Sequence, residues 1–110
     1  MKFRVARAAA LLVMVAAVLA FAADKRQTFT GKVSDTMCGA HHVMAGVSDA
    51  ECTRVCVKHG SKYALVVGDD VYTLEGGDTA MLYKLAGEKA TVTGTLKEKT
   101  IMVASVAPAK

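Results

Sequence analysis

After residue 27 the chain is divided into short apolar runs whose spacing leaves little choice of fold. "KYALVV" and "VYTLEG" are separated by Gly68-Asp69-Asp70, and "KATVTGTL" and "TIMVASV" by Lys97-Glu98-Lys99. Short runs rich in Val, Thr and Tyr, split by such brief turns, read as β-hairpins. "TFTGKVSD" alternates Phe29, Gly31 and Val33 with Thr30, Lys32 and Ser34, the period of a strand with one face inward. Two stretches break this β pattern. In "SDAECTRVCVKHG", Ser48 is placed to cap a helix, Glu51 completes a capping box, and Gly60 stops the helix after Lys58 and His59. In "DTAMLYKLAG", Asp78 is the cap, Met81, Leu82 and Leu85 recur at helical spacing, and Gly87 is the stop.

The order is strand, helical insertion, strand, strand, helix, strand, strand. Without the insertion it is the order of a mainly β, five-stranded, OB-fold-like β-barrel with one helix between strands 3 and 4. The inserted helix then lies between strands 1 and 2, in a connection that borders the usual binding face of such barrels. An α+β sheet with both helices on one side fits the same order and stays open.

Ahead of this domain stands "MKFRVARAAALLVMVAAVLAFAADKRQ", with Lys2, Arg4 and Arg7 before an apolar run from Ala8 to Ala23. Ala20 and Ala22 occupy the small-residue positions of a cleavage site, so residues 1–22 read as a signal peptide and the mature chain begins at Ala23. A spanning helix wants about 20 apolar residues, more than this run supplies. Residues 23–27 form a short leader, 28–106 the single domain and 107–110 a tail that should fray.

Removing the signal peptide leaves 11 Lys and Arg against 10 Asp and Glu, so the basicity of the whole chain is mostly a targeting feature. A near-neutral exported domain gives no case for nucleic acid, nor for a membrane once the leader is cleaved. The expected location is the periplasm or the outside, where free thiols are oxidised unless bound or buried. At 88 residues the mature chain is small enough to benefit from a staple or a metal.

All 3 cysteines and all 3 histidines lie in "MCGAHHVMAGVSDAECTRVCVKHG", residues 37–60. Cys52, Cys56 and His59 share a stripe of the expected helix, and Cys38 and His42 repeat the four-residue spacing upstream. Thiolate and imidazole are the preferred ligands of zinc and copper, and Cys38, His42, Cys52 and Cys56 are the best tetrahedral set. His41 and His59 are alternative nitrogens, while Met37 and Met44 offer soft sulfur suited to Cu(I). Against this, Cys52, Val55, Cys56 and His59 also have the spacing of an ordinary inward helix face, on which Cys serves as a small apolar residue. A disulfide is the other use of these thiols. Side chains four apart on a helix are too far separated for Cys52 to bridge Cys56, so the bridge would join Cys38 to Cys52 or Cys56. A nucleophilic or redox cysteine ranks behind both, because no oxyanion-hole motif, C-x-x-C pair or paired carboxylates accompany it. Asp35, near Cys38, reads as a strand-end turn residue.

The strings "GKVSDTMCGAHH", "ECTRVC", "GSKYALV" and "VTGTLKEKTIMVASV" resemble a family of small exported bacterial proteins of unassigned function and, more loosely, bacterial periplasmic OB-fold proteins. The resemblance covers most of residues 28–106. It implies an exported barrel-like domain with a Cys/His segment at Cys38, His42, Cys52 and Cys56, and it implies no reaction or substrate. The expectation is therefore a non-enzymatic binding domain for zinc or copper. The alternative is a disulfide-stapled module that binds a protein or small ligand through the barrel face, and a thiol redox protein is the third reading.

Overall fold

The computed structural model describes residues 25–41 and 45–109. The expected signal peptide, His42 and Met44 lie outside them. The order of elements is β1 (Arg26–Asp35), α1 (Asp49–Lys58), β2 (Tyr63–Val67), β3 (Asp70–Glu75), α2 (Thr79–Lys84), β4 (Lys89–Lys97) and β5 (Thr100–Pro108). Both expected hairpins form. Val67 pairs with Asp70 around the first turn, and Lys97 with Thr100 around the second, where Glu98 takes a left-handed φ of 58°.

The sheet closes on itself. Its strands follow one another as β1-β2-β3-β5-β4, and β4 returns to β1 over Arg26↔Thr95 to Lys32↔Lys89. Neighbours run antiparallel except β3 and β5, which are parallel over Thr73↔Thr100 to Glu75↔Met102. Two glycines permit the closure. A Cβ on Gly31 would lie 2.3 Å from the carbonyl oxygen of Val66, and one on Gly94, beside the irregularity where β4 and β5 shift register, 2.3 Å from that of Met102. Strands pressed this close leave no room for a side chain.

Inside the ring Val33, Leu65, Leu74, Val92 and Ile101 form the core, and Leu82 and Leu85 close it from α2 and its C-cap. The inward alternation expected for β1 holds through Gly31 and Val33, but the last three residues of the strand, Val33, Ser34 and Asp35, are all buried. Helix α1 packs against β1 and covers the outer face that the rest of the strand leaves to solvent. An ion pair from Lys32 to Asp49 joins the two elements.

The ends of the domain differ from the sequence reading. β1 begins at Arg26, inside the expected leader, because β4 is long enough to pair with it there. Ala107 and Pro108 of the expected tail belong to β5: Pro108 pairs with Ala90, and the Ala109 N–H donates to the Lys89 carbonyl. Helix α2 also stops early, with Leu85 as its cap, because the chain must turn inward for Gly87 N–H to reach the Val33 carbonyl. At that crossing only glycine fits, with φ of +79° and a Cβ position 2.8 Å from the backbone nitrogen of Ala50.

Candidate metal centre

Two separate pieces of chain carry the cysteines, and each is fixed by local hydrogen bonds. The first is the turn that ends β1. Asp35 Oδ1 accepts from the backbone N–H groups of Met37 and Cys38, both at 2.9 Å, and the Asp35 carbonyl accepts from Gly39 N–H at 2.8 Å. Ser34 Oγ donates to the Gly39 carbonyl, and Thr36 N–H to that of Lys62. Gly39 takes the left-handed φ of 59° that this turn requires. Cys38 is thereby held by its own backbone and by the aspartate three residues before it.

The second piece is α1. Ser48 Oγ accepts from Glu51 N–H, as the sequence predicts, and Asp49 and Glu51 place negative charge in the first turn, where the helix dipole favours it. Cys52 and Cys56 follow one turn apart. The buried residues of this helix are Cys52, Thr53 and Cys56, whereas Val55 is exposed and His59 is the exposed C-cap. The inward face is therefore rotated from the expected Cys52, Val55, Cys56, His59 stripe toward Thr53 and Val57, because α1 lies over β1 on that side.

These pieces meet at sulfur. The Sγ atoms of Cys38 and Cys52 lie 3.2 Å apart, those of Cys38 and Cys56 3.8 Å, and all three fall within 4.8 Å of one another. The cysteines are 8%, 0% and 6% exposed and form a buried cluster of their own, apart from the core of the ring. A satellite core made of cysteine alone is poor filler: Leu or Val at these positions would bury more apolar surface. Four sulfurs about 2.3 Å from a tetrahedral zinc sit roughly 3.8 Å from each other, a spacing the Cys38 and Cys56 pair already has. None of the pairs among these three thiols is at the distance of a disulfide bond.

Burial pushes the Cys56 thiol above its ordinary 9.0; the nearby charges of Asp35 and Cys52 add to the shift, and the hydrogen bond with Cys38 opposes it. A cation seated among the sulfurs would reverse that balance, since a metal is bound by thiolate.

The remaining sequence candidates lie elsewhere. His41 is exposed, its backbone N–H donating to the Cys38 carbonyl. His59 is exposed at the helix end and Met37 is 65% exposed, so neither belongs to the buried trio. Two buried oxygens near the cysteines were not anticipated: Asp35 Oδ2 and Thr53 Oγ1 have no hydrogen-bond partner. Asp35 was legible as a turn residue. Its burial was legible too, because it falls in phase with Phe29, Gly31 and Val33 on the inward side of β1. Thr53 carried no comparable signal.

Compared with protein-family models, with curated proteins and with solved structures, the chain has no match in any of the three.

Proposed function

We propose that this chain is a small exported binding domain, OB-like in fold, that holds a transition metal on Cys38, Cys52 and Cys56, zinc before copper. The observation that carries the reading is the convergence of three buried thiols, from two independently anchored pieces of chain, to within 4.8 Å. Export is supported by the basic and apolar leader with its A-x-A site. The OB-like reading is supported by the closed five-strand order with its parallel β3 and β5 pairing, and by the position of α1 between β1 and β2. Binding is favoured by the burial of three potential ligand sulfurs in one cluster, at 8%, 0% and 6% exposure. His42 is the fourth ligand the sequence proposes for zinc.

A disulfide is the second reading, favoured by the short approach of Cys38 to Cys52 in an oxidising compartment. It would leave Cys56 as a lone buried thiol.

Paired native and denaturing mass spectra of the protein, purified without reductant or chelator, decide between them. A zinc or copper adduct in the native spectrum, with every thiol free after denaturation, supports the metal. A denatured mass lighter by two hydrogens, with no adduct, supports the bridge. Within the metal reading, unchanged zinc affinity in His42→Ala would remove His42 from the ligand set.

A further inference from the structure

Three features of the sulfur cluster bear on which occupant it suits. Among the described residues, the cluster contains cysteine alone: neither His41, His59 nor a carboxylate brings a ligand atom into the same 4.8 Å group. Its closest pair, 3.2 Å, is tighter than the roughly 3.8 Å edge of a tetrahedral zinc-thiolate site. A carboxylate oxygen, Asp35 Oδ2, is buried beside it without a partner. Three thiolates around a zinc dication carry a net negative charge, and around Cu(I) a larger one. Next to a buried carboxylate each of those charges is costly.

We infer that the trio also takes up trivalent arsenic or antimony, supplied as the neutral hydroxide, as a three-coordinate thiolate centre. The inference rests on the reading of Cys38, Cys52 and Cys56 as a metal-binding site and extends it to a second class of ligand. The reaction is a condensation. Each Cys S–H gives its proton to a departing hydroxyl, three arsenic–oxygen bonds are replaced by three arsenic–sulfur bonds, and three waters leave. Arsenic remains trivalent throughout, so no oxidant or reductant is needed. The product is uncharged, and the Asp35 carboxylate does not oppose it. Its lone pair occupies the fourth direction, so no fourth protein ligand is called for. The narrow angles at a pyramidal arsenic also draw its sulfurs closer together than a tetrahedron does, in keeping with the Cys38 and Cys52 pair.

The test uses the purified, reduced, metal-free chain titrated separately with arsenite, Zn(II) and Cu(I), with the stoichiometry read by elemental analysis after desalting. The expected result is one arsenic per chain, lost in each of Cys38→Ser, Cys52→Ser and Cys56→Ser. Asp35→Asn keeps the oxygen that accepts from Met37 and Cys38 and removes the charge. It should raise zinc and Cu(I) affinity by about tenfold or more and change arsenite affinity by less than about threefold. Zinc binding without arsenite binding would overturn the inference and leave the proposed function standing. Failure of all three ions to bind would overturn both. Arsenite binding that survives loss of any one cysteine, or that shifts with Asp35→Asn as much as zinc does, would also overturn it, since the first reduces the site to a dithiol and the second removes the charge argument.

Discussion

Asp35 does two things at once. One oxygen organises the turn that presents Cys38, and the other lies buried beside the thiols. Asp35→Ala removes the acceptor of the buried Cys38 N–H and should cost about 1–3 kcal/mol, read from denaturant melts, while Asp35→Asn stays near wild type. The Cys56 thiol has its own signature. Because burial raises its pKa, the folded state favours the protonated form; that stability is fully present below the ordinary value of 9.0 and is lost as pH rises through the higher folded value. The metal-free reduced chain should therefore weaken in melts above pH 9.0, and Cys56→Ser should flatten the slope. Metal loading has the opposite dependence, tightening with pH as protons leave the sulfurs. At this scale the cysteines were visible in the sequence as candidates. What no spacing rule could supply was the exposure of His59, which follows from how far α1 is rotated over β1, and that of Met37, in the turn after β1.

Helix α1 depends on its cap more than its length suggests, since ten residues are marginal as an isolated helix. Ser48→Ala should cost about 1 kcal/mol and lower metal affinity as well, because Cys52 is donor to the Ser48 carbonyl in the first turn. The strands depend on glycine in a different way. Gly31→Ala would force β1 away from β2 and should cost about 1–3 kcal/mol in a thermal or denaturant melt. Elements were the most legible level: five strands, two helices, the Ser48 and Asp78 N-caps and both hairpin turns are present. Differences in extent fell at the two ends of the domain and at the C-terminal end of α2. Strand length there is set by the partner across the ring rather than by local composition, so Arg26, between Lys25 and Gln27, and Pro108, a residue that strands disfavour, are both paired.

The whole molecule is a ring closed by long-range pairings with a sulfur cluster on its flank. Five strands closing on one another could be anticipated, but the close approaches at Gly31 and Gly94 that permit it could not, because a close approach leaves no mark in sequence beyond the glycine itself. Zinc at 100 times its dissociation constant should add about 2.7 kcal/mol, which for a domain this small raises the melting temperature by about 10–20 °C; calorimetry with and without chelator measures it. Cys38 is anchored by its own turn and Cys52 and Cys56 by a capped helix, whereas Ala45, Gly46 and Val47 between them are exposed, and a Cβ on Gly46 would touch nothing. The two sulfur-bearing pieces of the socket thus keep their shape independently of Ala45, Gly46 and Val47. Lengthening such a linker is cheap, since doubling a loop costs only about 0.6 kcal/mol. A short epitope or fluorophore-bearing peptide inserted after Gly46 would ride outside the fold with zinc affinity intact, and descendants of this gene are free to vary the length of that segment while the thiols stay in place.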